Sequence, residues 1–172
     1  WNSVIRGLDP IESISCEEQT MLRMVYDSLL TTNYPQTKSV GGVPHIAEKW
    51  SSSPDLKVWT FYLRKDVSFS TGNKLTAKDV VFSLKRGIEA NYPVYPRINE
   101  FIDPETSLKI IDDYTVEMTL KKAYAGFPDQ LTPAFLAIVD SEALKPHMTT
   151  DDKYGSSWLD DHSAGSGPLM LE

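Results

Sequence analysis

The sequence predicts a mixed α/β fold of the α+β kind, built from short strands and helices in irregular order and not from a regular doubly wound sheet. Three observations lead there. Residues 57–64 alternate strictly, with Trp59, Phe61 and Leu63 on one side and Val58, Thr60 and Tyr62 on the other, as in a strand covered on both faces. Ser15 and Glu18 have capping-box spacing, and Met21, Leu22, Val25 and Leu29 then recur at helical period. Two apolar segments, 108–111 and 114–120, flank the pair Asp112-Asp113, which reads as a hairpin.

In chain order, Leu8-Asp9-Pro10 is an extended segment entering a loop, because proline keeps the residue before it out of the helical region. The first helix is expected over residues 16–30. Residues 31–44, with Pro35, Gly41 and Gly42, are loop by composition, and 46–50 are expected as a short helix or turn. After the strand at 57–64 comes a shorter one at 67–69, ended by the turn formers Thr71-Gly72-Asn73. Thr76 caps a second helix, with Asp79 at its third position. Val80, Val81, Leu84 and Ile88 form its buried stripe, and it stops before Pro93. In the hairpin, Tyr114, Val116, Met118 and Leu120 turn inward while Thr115, Glu117 and Thr119 face solvent. A further strand is expected at 136–139, then a helical turn capped by Ser141 and ended by Pro146, then a polar loop leading to Gly165-Ser166-Gly167-Pro168.

Bulk properties narrow the function. With 41% hydrophobic and 24% charged residues, the 172-residue chain has the make-up of a globular domain. No apolar run is long enough for an integral membrane span. A net charge of −7 with scattered lysines and arginines excludes nucleic acid as a partner, which demands a basic face. The single cysteine, Cys16, allows no internal disulfide and no CxxC motif. His45, His147 and His162 are far apart in sequence, so no metal site is expected. Asp160-Asp161-His162-Ser163 contains the residue types of a catalytic triad, but adjacent residues do not arrange themselves as nucleophile, base and orienter. No catalytic residue is assigned, no cofactor is called for, and the chain is read as a non-enzyme.

Pro44-His45-Ile46-Ala47-Glu48-Lys49-Trp50 followed by residues 57–64 resembles the family 5 extracellular solute-binding proteins of ABC transporters. The likeness continues through Phe69 and Gly72, Leu75-Thr76-Ala77-Lys78-Asp79-Val80-Val81-Phe82-Ser83, the hairpin 110–120 and Gly165-Ser166-Gly167-Pro168, and Leu8-Asp9-Pro10 matches the family's opening. Thr71 stands where the family has an acidic or amide residue before Gly72, and Leu169 where an aromatic is usual.

The resemblance implies a periplasmic-binding-protein-like fold of type II, whose two lobes close on a peptide, a nickel chelate or a related solute. It assigns residues 1–43 to the first segment of lobe I, 44–159 to that lobe's accessory domain and 160–172 to a return segment into lobe I, with the second lobe absent from this sequence. It implies capture of oligopeptides for delivery to ABC permease subunits by a monomeric periplasmic or extracellular protein, with lipid anchoring of the full-length protein left open. A sensor or adhesion module using the same lobe is the alternative, because a fold does not dictate its use.

For ligand contact the resemblance points to Ile14, Ser15 and Cys16, where the family's oligopeptide binders offer backbone as an added strand would. The plainer reading is a helix entry capped by Ser15. It points equally to Tyr92 and Tyr95, where the accessory domain places a tyrosine over the cleft, against which stands a loop packed on its own domain. Trp50, Trp59 and Phe61 are read as core and not as a sugar platform. Gly165 and Gly167 resemble part of a phosphate loop, but no Lys-Ser/Thr follows.

Overall fold

The computed structural model describes residues 7–12, 15–32, 42–90 and 96–170, with only the backbone of Cys16, Pro96 and Arg97. In chain order a 3-10 turn at Pro10–Glu12 leads into α1 (Cys16–Val25), β1 (Leu30–Thr31), β2 (Val43–Pro44), β3 (Ala47–Ser52) and β4 (Val58–Leu63). There follow α2 (Ala77–Ala90), α3 (Pro96–Asn99), β5 (Leu108–Asp112), β6 (Thr115–Thr119), α4 (Ser141–Leu144) and α5 (Ser156–Leu159).

The mixed architecture expected of the sequence is present. β3, β4, β6 and β5 form an antiparallel sheet in that order, and β1 pairs with β2 in a separate two-stranded ribbon. β4 sits centrally because its inner residues Trp59, Phe61 and Leu63 are buried while Val58, Thr60 and Tyr62 are half-buried. α2 covers the inner face with Val80, Leu84 and Ile88, and Phe61 meets Phe127 edge to face at 6.3 Å. A second core joins Leu22, Val25 and Tyr26 to Ala134, Ala137, Val139, Leu144, Leu159 and Ala164. Trp50 packs at the edge of the main core, in line with its reading as a core aromatic.

Several elements differ from the sequence reading. α1 ends at Val25 and not at Leu30, because Tyr26 is extended (φ −127°, ψ 148°) and the chain beyond it pairs with other segments. Ile138 N donates to Asp27 O at 2.9 Å and Ala47 N to Leu29 O at 2.9 Å. Residues 46–50 belong to β3, an edge strand whose outward positions are polar and whose bulge between Ala47 and Lys49 breaks the alternation that would mark a strand. Residues 67–69 make only the single bridge Ser68–Lys74 around the turn, where Gly72 has φ +95°.

A bulge between Ile110 and Asp112 moves the hairpin turn to Asp113-Tyr114 and leaves Tyr114 half-buried. Residues 136–139 are not a strand. Pro133 opens a 3-10 turn at Ala134–Leu136, and only Ala137 bridges, to Ser28. α4 is capped by Asp140, whose Oδ1 accepts from Glu142 N (2.9 Å) and Ala143 N (3.1 Å), and Pro146 lies inside a following 3-10 turn, Lys145–His147. The polar stretch near the end contains α5, entered through Gly155 at φ +66°.

Candidate functional site

A buried ion pair lies a few residues ahead of α1 in the chain. Asp9, just ahead of the 3-10 turn at Pro10–Glu12, receives both terminal nitrogens of Arg86 on α2, with Nη1 at 2.8 Å from Oδ1. The two side chains are 0% and 2% exposed. The remaining groups are satisfied: Ser156 Oγ donates to Asp9 Oδ2 (2.6 Å), Ile11 N to Asp9 Oδ1 (3.1 Å) and Arg86 Nε to Tyr154 O (2.7 Å). Taking two charges out of water costs several kcal/mol for each ion, so full pairing is what makes this site tolerable. It ties residues 9–11 to α2 and α5.

Ser15 and Glu18 form the capping box. Ser15 Oγ accepts from Glu18 N and Glu18 Oε2 accepts from Ser15 N, both at 3.1 Å, and Ser15 O accepts from Gln19 N at 3.1 Å. The backbone groups of Ser15 are therefore committed to the helix. Cys16 opens α1, while Ile14, Tyr92 and Tyr95 lie outside the described residues.

Beyond α1 the chain forms a junction that sequence reasoning missed. Asp27 Oδ1 lies 3.3 Å from His45 Nε2 just ahead of β3, and Asp27 Oδ2 accepts from Ser166 Oγ at 2.9 Å. His45 Nδ1 is buried without a hydrogen bond among the described residues, which suits the tautomer bearing its hydrogen on Nε2. One carboxylate thus joins the three stretches assigned above to the first segment, the accessory layer and the return segment. Only proximity in space reveals it. Beside it a recess of about 310 Å³ is lined by Arg23, Tyr26, Asp27, Thr31, His45 and Pro168. Burial, the largest influence, pushes the Tyr26 phenol well above its ordinary range.

Gly165-Ser166-Gly167 packs directly on the end of α1. A Cβ on Gly165 would lie 2.0 Å from Val25 O, and one on Gly167 would lie 2.6 Å from Val25 C. Glycine lets the return segment dock: Gly167 N donates to Val25 O (2.9 Å) and Leu169 N to Met24 O (2.8 Å). Close packing, not phosphate, accounts for these two glycines.

No catalytic arrangement emerges from 160–163. His162 Nδ1 faces two acceptors, Asp161 Oδ1 at 2.7 Å and Trp158 O at 3.0 Å, and neither is a hydroxyl or thiol that the ring could deprotonate. Among the described residues no helix is long and apolar enough to cross a membrane.

Comparison with known proteins agrees with this geometry. The family "Bacterial extracellular solute-binding proteins, family 5 Middle" matches residues 42–172. The periplasmic oligopeptide-binding protein OppA of Escherichia coli is 31% identical over 171 residues, covering 91% of this chain and 29% of the relative. Heme-binding protein A of Haemophilus influenzae is 32% identical over 143 residues, covering 74% of this chain and 26% of the relative. The periplasmic binding protein DppA of Helicobacter pylori, solved in complex with the peptide STSA, superposes with a TM-score of 0.77 at 27% identity, over 95% of this chain and 34% of that one. The chain thus spans about a third of the length of the proteins it matches. It belongs to the family 5 bacterial extracellular solute-binding proteins and carries part of their type II periplasmic-binding-protein-like fold.

Proposed function

We propose that this chain is the first-lobe portion of the extracytoplasmic solute-binding component of an ABC importer, that its ligand is an oligopeptide, and that lobe closure precedes delivery to the permease. The observation that carries the reading is the 31% identity to an oligopeptide-binding protein across 91% of the chain. The family spans other solutes, since one relative is by name a heme binder. Residues 1–43 and 160–172 then belong to the body of lobe I and 44–159 to its accessory layer, a division supported by the confinement of the four-stranded sheet and α2 to that middle stretch.

In this scheme the stretch Ile14-Ser15-Cys16 faces the peptide, with the N–H and carbonyl of Ser15 themselves taken up by the capping of α1, and Tyr92 or Tyr95 overlies it. The protein works as a monomer at the outer side of the membrane and turns over no substrate. One lobe offers half a cleft, so the 172-residue chain on its own binds peptides weakly or not at all. Calorimetry with a mixed tri- to pentapeptide library tests both statements. The longer parent protein should give saturable binding and this chain none. Micromolar binding by this chain would overturn the half-cleft argument, and failure of the parent to bind any peptide would overturn the ligand class.

A further inference from the structure

A recess of about 440 Å³ on the face of the return segment is lined by Ser70, Thr71, Trp158, Asp161, His162 and Met170. We propose that it binds a soft monovalent d10 metal ion, copper(I) or its probe silver(I), through His162 Nε2 and the Met170 thioether.

The imidazole is already arranged as a metal ligand. Both partners of Nδ1, Asp161 Oδ1 at 2.7 Å and Trp158 O at 3.0 Å, can only accept, so Nδ1 carries a hydrogen and Nε2 is the ring nitrogen left to meet a ligand. Among the described residues nothing hydrogen-bonds Nε2, and the side chain is 53% exposed. A carboxylate and a carbonyl on the far ring nitrogen are the outer partners that orient metal-binding histidines and raise their basicity. The ring plane is fixed as well, because His162 stacks on Trp158 at 4.7 Å and 14°, and His147 covers the other indole face at 4.5 Å and 8°.

Met170 supplies the second donor. It is 56% exposed and lines the same recess, so its sulfur is open to a ligand there. Thioether and imidazole together select copper(I) over harder ions. Zinc wants a closed tetrahedral set, and among the described residues no group of three or more His, Cys, Asp or Glu side chains comes together. The other donors lining the recess, on Ser70, Thr71, Asp161 and Ser163, are oxygens, which suit harder ions than an imidazole and a thioether do.

The test is a titration of the 172-residue protein with silver nitrate in chloride-free buffer. The Cys16 thiol is first blocked by alkylation, or replaced by Cys16→Ser, because a thiolate outcompetes a thioether. Stoichiometry is read by native mass spectrometry and location by the methionine methyl and histidine ring resonances. One equivalent should move the Met170 methyl and the His162 ring together. Binding should be lost in His162→Phe, which keeps a ring on Trp158, and in Met170→Leu, which keeps the volume. Asp161→Ala should weaken binding by about ten- to a hundredfold by freeing the ring, an effect a purely structural carboxylate would not have. Unchanged melting curves show that the variants fold. Silver that shifts Met21 and Met24 but not Met170, affinity indifferent to both ligand variants, or equally tight zinc(II) binding would each overturn the assignment.

Discussion

Asp9 and Arg86 are the residues on which most is staked. Their carboxylate and guanidinium are sealed from water and fully hydrogen-bonded, so removing one partner strands the other. Asp9→Ala should cost about 3–5 kcal/mol, a large share of the roughly 5–15 kcal/mol by which a domain is stable. The urea midpoint reads this loss. The paired replacement Asp9→Leu with Arg86→Met should recover most of it, and a double variant as unstable as the single would show that the charges themselves matter.

Asp160 behaves oppositely. Desolvation first, then the charges of Glu12, Asp9, Asp161 and Asp152, raise its carboxyl above the ordinary value. An acid whose folded-state value is raised opposes folding once it is ionised and stops doing so when both states are protonated. Asp160→Asn should therefore stabilise the protein slightly at neutral pH, and the gain should vanish as pH falls below the ordinary carboxylate range. Melting curves across that interval check the sign. The role of Asp9 was not legible in the sequence, where Leu8-Asp9-Pro10 read only as an entry into a loop, since its partner lies 77 positions away.

Among the elements, α1 is fixed at both ends by devices of different visibility. Its capping box is written in Ser15 and Glu18 and is present as read. Ser15→Ala should cost about 1 kcal/mol, measurable by urea titration. Its C-terminal end was misjudged because Leu29 continues the helical spacing, yet the backbone beyond Val25 is claimed by residues 47 and 138. The same contest explains β3 and the stretch at 136–139: a polar edge strand lacks alternation, and an apolar run can be buried without pairing. β4, α2 and most of the hairpin were legible because their periodicities coincide with burial. Of the residues singled out for ligand contact, the sequence gives family position only, whereas the Asp27–His45–Ser166 junction needs the fold itself. The end of α1 is also where Gly165→Ala should act, because its Cβ would meet the Val25 carbonyl and neither backbone can yield. A loss of about 1–3 kcal/mol is expected from the overpacking, with the urea midpoint as readout.

The described residues form two cores, one under the sheet and one around α1, and the second is completed by the return segment through Ala164. Removing residues 160–172 takes away Ala164 and the hydrogen bonds from Gly167 N to Val25 O and from Leu169 N to Met24 O. Hydrogen exchange should then accelerate in α1 while β4 and β6 keep their protection. Equal protection in both would show that α1 stands without the return segment. The Asp27 junction also bears on biosynthesis. A chain made from its N-terminus presents Asp27 and His45 long before Ser166, so this clasp stays open until nearly the whole stretch has emerged. Closing contacts so distant along the chain is slow, so the Asp27 carboxylate waits for Ser166 while contacts between residues nearer in sequence form first.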